Sequence, residues 1–595
     1  MLDASSVVLV FLMACSDKSA HETAAPAPDT SDSGLAPGAD DTAPTDDTSP
    51  SDDTVVIRET GETAETGDSG DSGDSGDGGD AVGAPATLTA DGPVSCLDPT
   101  LRTTEGPFYL ANGGVSWSEE QLRLTPVGDD PRDRGVTVAD FTGDGLLDIF
   151  LANVGQDQLY VGLPGGLWVD ETGARWTTEA RPTVAAPAVD VDDDGDLDIY
   201  TVNRGGEDVL MLNDGAGYFS PALTQPTPGD ANTCAAFGDM DGDGDLDLFT
   251  GGHQILGADP IDGAWFGPAA DAGLFENDGG VFTDRSERLP QAAHDGYTFA
   301  AGWHDVDGDG DTDLYVVNDY GALVQPNVLL RQGDGELLDA SVEAGLSLNA
   351  RGMGLGAGDL NDDGLPDLLI SDWDSLWLME SLPDGTFYNS ALARGLAPVG
   401  DQHVAWGAEL VDVDNDGLLD AAVSYGFLNA PAEDDFGNAD AQPDALYLQQ
   451  EDGTFDDRAL SYGLADDRIN RGFAVADLND DGWPDLVKVA LDGPAHIMLS
   501  RCGEAAWLWV TLDQPGRNRD AVGARIEVES GGRVWRRWIT GPNTNYGAAG
   551  PLEAHFGLGE LDRIDAITVS WPDGERSRFE DVETRQRLRV TRVSE

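Results

Sequence analysis

A nine-residue pattern occurs seven times along the chain, and no other feature limits the possible folds as much. Its copies begin at Asp140 (DFTGDGLLD), Asp190 (DVDDDGDLD), Asp239 (DMDGDGDLD), Asp305 (DVDGDGDTD), Asp359 (DLNDDGLPD), Asp412 (DVDNDGLLD) and Asp477 (DLNDDGWPD). Their starts lie roughly 50 to 65 residues apart. Repeats of about that length signal one supersecondary unit packed against its neighbours, as in propellers and solenoids.

Each copy sets side-chain oxygens at positions one, three, five and nine, with Gly at position six. The candidate ligands are Asp140, Thr142, Asp144 and Asp148 in the first loop and Asp190, Asp192, Asp194 and Asp198 in the second. They are Asp239, Asp241, Asp243 and Asp247 in the third, and Asp305, Asp307, Asp309 and Asp313 in the fourth. The fifth and sixth offer Asp359, Asn361, Asp363 and Asp367, then Asp412, Asp414, Asp416 and Asp420; the seventh offers Asp477, Asn479, Asp481 and Asp485. Thr142 is the one departure from an acid or amide. Hard oxygens around one point, a Gly that permits the sharp turn, and a backbone carbonyl from position seven suit calcium, at up to seven sites. Magnesium suits them less, because it gives up water reluctantly and demands strict octahedral geometry. Carboxylates this close repel one another unless a cation lies between them. An EF-hand begins similarly but needs Glu at position twelve and a helix on each side. Neither is present.

Apolar or small runs such as GVTVAD, CAAFGD and GFAVAD precede the loops, and LDIFLAN, LDIYTVN and TDLYVVN follow them, all of β-strand composition. A third run follows in most copies (QLYVGL, VLMLN, LWLME, HIMLS), then a fourth around an aromatic, as in DGTFYNS. Four strands per repeat make a propeller blade. The expected fold class is all-β: a seven-bladed β-propeller over 93–502, a small β domain over 503–595, and a disordered acidic tether over 16–92. The seventh copy lacks its outer strand, and GGVSWSEEQLRLT stands before the first loop. The N-terminal segment is therefore expected to complete blade seven and remove two bare sheet edges. Cys96 then enters near the point where Cys502 leaves, and an oxidising compartment allows a disulfide between them. Cys234 reads as a small buried apolar residue.

The repeats resemble the FG-GAP/VCBS repeats of integrin α-subunit propellers and of many secreted bacterial proteins, over about residues 103–501. From Ala506 the metal loops stop and alternation takes over in WLWVTL, ARIEVESGGRVWRRWIT and AITVSWPDG. This region resembles the ASPIC/UnbV domain that follows such propellers in the cartilage acidic protein family, over about residues 507–590. After Gly541 the sequence PNTNYGAAGPLEAHFGLG lacks the Ser-Gln pair expected after the Tyr. Arg533, Arg536 and Arg537 form a basic edge that either meets an anionic ligand or is ordinary strand surface. The resemblance implies an extracellular or surface-associated role and no particular activity.

Composition bounds the partners. Asp and Glu number 112 against 32 Lys and Arg, for a formal charge of -80, which repels nucleic acid phosphates and anionic lipid. Seven dications offset only about 14 of those charges, so basic partners are favoured. The run Val7–Ala14 ends in Leu12-Met13-Ala14-Cys15, which resembles a bacterial lipobox with Cys15 as the lipidation site, although Asp3 stands where such signals carry Lys or Arg. The Asp/Ser/Thr/Gly/Pro-rich stretch after it cannot bury a core and reads as a tether. No apolar run reaches the length that spans a bilayer. The expectation is an outer-membrane or cell-surface lipoprotein, or a secreted one, attached to membrane only through the lipid.

The favoured function is a calcium-binding, surface-displayed module for adhesion or for binding a protein or glycan. An architectural protein without a ligand is one alternative. A carbohydrate-active enzyme with a site at the propeller mouth is another, with His253, His294, His304 and His403 as candidates. No nucleophile elbow, HExxH, P-loop or dinucleotide fingerprint is present, so an enzyme is not the expectation.

Overall fold

The structure is a computed structural model, and it describes residues 84–96, 99–111, 134–223, 225–226, 231–253, 267–333, 335–396, 403–427, 442–466, 468–491, 494–542 and 545–593. Cys15 and the tether up to residue 83 lie outside these residues.

Every Asp-rich loop joins the first and second strands of an antiparallel four-stranded meander. In the first repeat the strands are Arg134–Ala139, Asp148–Gly155, Gln158–Leu163 and Leu167–Asp170. The second strand of every repeat starts on the position-nine aspartate: Asp148, Asp198, Asp247, Asp313, Asp367, Asp420 and Asp485. The first strands neighbour one another in a closed cycle, running from Arg134–Ala139 round to Asn470–Ala476 and back. The meanders are the blades of a β-propeller.

Burial explains their composition. Second strands such as Asp198–Asn203, Asp313–Asp319 and Asp485–Ala490 are buried at every residue. Both of their faces meet protein, so they read as unbroken apolar runs rather than alternating ones. The outer strands Phe387–Asn389 and Phe455–Asp457 bury only their Phe. Blade two departs from the regular form. Its first strand is split into Arg181–Ala185 and Ala188–Val189, with Pro187, which has no N–H for the ladder, between the halves. The first half still pairs with Asp198–Asn203, Thr183 against Asn203, and also pairs with the end of blade one, Val154 against Pro182 and Gly155 against Arg181.

The N-terminal segment does complete blade seven, with different residues from those expected. Phe108–Leu110 pairs with His496–Ser500, whereas GGVSWSEEQLRLT lies outside the described residues. Three residues suffice because Arg102 anchors the approach, donating from Nη1 to Ser500 Oγ at 2.8 Å and to the Arg501 carbonyl at 2.7 Å, with its guanidinium 4.0 Å from the Trp483 ring centre. Cys96 and Cys502 are disulfide-bonded across a sequence separation of 406 residues. Replacing both by Ser is expected to cost about 2–5 kcal/mol, read as a lower denaturant midpoint at unchanged slope. An unchanged midpoint would show that strand pairing alone closes the ring. Cys234 is buried, and burial pushes its thiol up to about 12.

The C-terminal module has two four-stranded sheets. One contains the hairpin Arg525–Ser530 and Arg533–Trp538, which turns through Gly531 and Gly532 at φ 59° and 90°, together with Arg563–Ser570 and Arg576–Glu583. The other contains Ala506–Asp513, Ala554–Gly559, Gln586–Arg592 and a strand from the far end of the chain, Ala86–Ala90. That last strand corrects the expected tether boundary at residue 92. The sequence ATLTA is too short and small to signal a strand by itself, and it is fixed by antiparallel pairing to Gln586–Arg592.

Candidate functional site

The seven Asp-rich loops share one hydrogen-bond pattern. Position one accepts the position-six Gly N–H in every loop, at 2.8–3.2 Å. Position five accepts the position-seven N–H, curling the chain around the centre. Position nine bonds with both oxygens. One accepts the position-two N–H at 2.8–3.3 Å. The other accepts an N–H at the end of the blade's third strand at 2.6–2.9 Å. The position-nine Asp is therefore a latch between loop and blade as well as a candidate ligand.

The backbone explains a second regularity. Position four has φ of 68°, 60°, 76°, 78°, 59°, 58° and 58° at Gly143, Asp193, Gly242, Gly308, Asp362, Asn415 and Asp480. The left-handed region favours Gly, Asn and Asp, and these are the residue types found there.

The donors fit a hard cation. In four loops, three carboxylates each offer an oxygen, the oxygens lying within 4.8 Å of one another: Asp190, Asp192 and Asp194; Asp239, Asp241 and Asp247; Asp305, Asp307 and Asp309; Asp412, Asp414 and Asp420. At position three, Thr142 Oγ1, Asp192 Oδ1, Asp307 Oδ1 and Asp414 Oδ1 are buried and make no hydrogen bond among the described residues. Buried oxygens without a donor are costly, and a cation at the loop centre satisfies them. Thr142, the departure in loop one, presents its oxygen in the same way. Loops five and seven have Asn361 and Asn479 at this position, whose carbonyl oxygens instead accept the N–H of Asp363 and Asp481.

Burial raises the carboxylates. Asp148 and Asp367 are pushed up to about 7, and Asp198, Asp247 and Asp313 to about 8. At position one, burial lifts Asp190 to about 7, and burial with neighbouring Asp416 and Asp414 lifts Asp412 to about 8.

The C-terminal module sits on the rim that carries these loops. Arg517 bonds Asp245 at 2.7 Å and Asp243 at 3.2 Å in blade three. Arg533 bonds Asp362 at 2.7 Å and the Gly417 carbonyl at 2.8 Å, and Trp535 Nε1 donates to that same carbonyl. Arg536 reaches Asp359 at 3.5 Å. Arg587 reaches Asp477 at 3.1 Å and Asp480 at 3.3 Å. Gly557 packs on loop six so tightly that a Cβ there would collide with the Asp412 carboxylate. The expected basic edge thus has a partner within the chain: Arg533 and Arg536 face loop carboxylates, while Arg537 donates to the carbonyls of His555 and Arg536. Apolar contact reinforces the charges, with Tyr200 and Phe237 of the propeller in one buried cluster with Trp535, Ile539 and Phe556.

The segment that departs from the family pattern plugs the propeller axis. Asn545 accepts the Ala408 N–H and donates to the Phe473 carbonyl, both at 2.9 Å. Tyr546 packs edge-on against Trp406 and Phe299, with ring centres 4.8 and 5.5 Å away. Ala548–Ala549 pairs in parallel with Val136 and Thr137 of blade one.

The four candidate histidines occupy separate settings. His253 stacks between Tyr297 and Phe299 and bonds Asp319 at 3.3 Å. His403 lies edge-on to Tyr425, and His294 ends the short helix Gln291–His294. His304 closes the first strand of blade four and is buried. None belongs to a metal-ligating group among the described residues.

The chain matches the FG-GAP-like repeat over residues 140–201, 190–250, 305–370 and 359–423, and the family ASPIC and UnbV over 514–595. No curated protein matches it. Similar solved structures include an Agrocybe aegerita lectin that recognises non-reducing terminal N-acetylglucosamine, 17% identical, covering 62% of this chain and 94% of that one, at a TM-score of 0.35. The exotype rhamnogalacturonan lyase YesX is 13% identical, with coverage of 64% and 76% and a TM-score of 0.36. The SapL1 lectin in complex with alpha methyl fucoside is 13% identical, with coverage of 55% and 95% and a TM-score of 0.32. Likeness at this level speaks to no ligand or activity of this chain. The protein is an FG-GAP-like repeat β-propeller with a C-terminal ASPIC and UnbV domain.

Proposed function

We propose that the chain is a calcium-stiffened binding module, displayed at the cell surface through a lipid on Cys15, that recognises a protein or glycan at the end of the propeller opposite its metal loops. One observation carries this reading: the chain's own C-terminal module engages the loops of blades three, five, six and seven, which favours the other end for a partner. There, Tyr320, Trp373 and Phe427 are partly exposed. Arg351 lies over Trp373 at 5.1 Å, and Trp373 meets Phe427 edge-on with ring centres 6.1 Å apart. Part-exposed aromatics beside a cation are the usual anchors of a binding surface. Calcium is the cation favoured by the all-oxygen loops.

The test is capture of surface glycans and proteins on the immobilised intact chain, with calcium or with chelator. Retention of defined partners with calcium, weakened at least about tenfold by Trp373→Ala, supports the reading. Equal and empty eluates in both conditions, or retention untouched by the substitution, overturn it. Mass spectrometry of the mature protein tests the anchor: an unmodified Cys15 removes it.

A further inference from the structure

The seven loops are not equivalent, and the difference falls on position three. Each of the four groups in which three carboxylate oxygens lie within 4.8 Å includes the acid at that position: Asp192, Asp241, Asp307 or Asp414. Loops five and seven both read DLNDDG. They have Asn361 and Asn479 at position three, and the acid stands one place on, at Asp362 and Asp480. Neither loop forms such a group among the described residues. Loop two also has an acid at position four, Asp193, but it keeps Asp192 at position three.

Arginines of the C-terminal module meet both altered loops. In loop seven, Arg587 bonds the position-one carboxylate of Asp477 at 3.1 Å, the Asp477 carbonyl at 3.2 Å and the Asp480 carboxylate at 3.3 Å. Two arginines share that work in loop five. Arg536 Nη1 lies 3.5 Å from the Asp359 carboxylate and 3.3 Å from the Asp362 carbonyl, while Arg533 bonds the Asp362 carboxylate at 2.7 Å. Among the described residues these are the two position-one aspartates that pair with an arginine. Arg517 also reaches a loop, but it bonds Asp243 and Asp245 and leaves the group of Asp239, Asp241 and Asp247 intact.

The Asp359 and Asp477 side chains are fully buried. A buried carboxylate needs a paired positive charge, and the guanidinium supplies it. A dication on the same carboxylate would meet that guanidinium at close range, where like charges oppose each other. The demand for a metal is also weaker in these loops. Asn361 and Asn479 already accept the N–H of Asp363 and Asp481, whereas Thr142 Oγ1 and one oxygen each of Asp192, Asp307 and Asp414 are buried without a donor. We infer that Arg536 and Arg587 take in loops five and seven the place that calcium takes in the others. These two loops then latch the module to the propeller, and the chain carries four calcium sites, or five with loop one. The inference rests on the calcium reading for the remaining loops.

Equilibrium dialysis of the intact chain against calcium counts the saturable sites, and four or five are expected. Asp412→Asn should remove one of them. Asp359→Asn and Asp477→Asn, which are nearly isosteric, should remove none from protein that a melting curve shows to be folded. The latch has its own readout: in excess chelator, Arg587→Gln should lower the melting temperature by about 3 °C or more, because the buried Asp477 loses its cation. Six or seven sites, or a site lost in Asp359→Asn or Asp477→Asn, overturn the inference and leave the calcium reading standing. A melting temperature in chelator that ignores Arg587→Gln overturns it too. Fewer than four sites would bring down the calcium reading with it.

Discussion

Chelating divalent cations from the intact chain is expected to lower its melting temperature by about 10 °C or more, and calcium in excess of the chelator to restore it. A ligand bound only by the folded state stabilises it by about 2.7 kcal/mol per site at a hundredfold excess over Kd. The four loops with three converging carboxylates then supply on the order of 10 kcal/mol together. A chain of this size gains unfolding entropy at about 2.1 cal/mol/K per residue, so that energy corresponds to about 10 °C. Differential scanning calorimetry with calcium, magnesium and chelator measures it. Calcium should restore the transition at concentrations where magnesium does not, because magnesium tolerates such crowded, flexible cages poorly. Asp190→Asn, Asp239→Asn, Asp305→Asn and Asp412→Asn should each remove part of the calcium-dependent increment. A melting temperature indifferent to chelator would mean that the loops hold their shape through backbone hydrogen bonds alone.

The propeller was legible in the sequence because its determinants are local. A loop of nine residues encodes its own turn, its own donors and the start of the strand that follows it, so the second strands begin on Asp148, Asp198 and their counterparts. The left-handed position four went unremarked in the sequence, although Gly, Asp and Asn, the residues that tolerate that conformation, are the only types found there. What local pattern could not report is pairing across hundreds of residues. Ala86–Ala90 is a strand only because Gln586–Arg592 lies beside it, and the tripeptide Phe108–Leu110 closes the ring because Arg102 and the Cys96–Cys502 bond deliver it there.

The module's arginines show the same limit. Alternation places Arg533 and Arg536 on strand faces, yet alternation cannot say whether a face meets water or another domain. The answer depends on Asp359 and Asp362, more than 170 residues earlier in the chain. That docking spends the loops of blades three, five, six and seven on internal contacts.

Without divalent cations, the chain is expected to lose stability as pH rises from about 5.5 to 8.5, with the melting temperature falling by about 10 °C or more. Burial holds Asp148, Asp190 and Asp367 at about 7, and Asp198, Asp247 and Asp313 at about 8, against an ordinary value near 4. Between those limits the folded chain binds more protons than the unfolded one. Stability is therefore complete below the unfolded pKa and drains away as pH passes through the folded values. Carboxylates with the opposite shift act only at lower pH. Against the burial that raises it, Glu380 is held down to about 2 by two 2.7 Å bonds from Arg394, so its contribution is intact throughout this window. Calcium reverses the trend, because it binds the ionised carboxylates and protons compete with it; its apparent affinity should rise steeply between pH 6 and 8. The two melting curves should consequently diverge with pH, nearly meeting at about 5.5 and standing furthest apart at about 8.5. Parallel curves across that range would show that the loop carboxylates are ionised whether or not a cation is bound, and that burial in the blades does not set their charge.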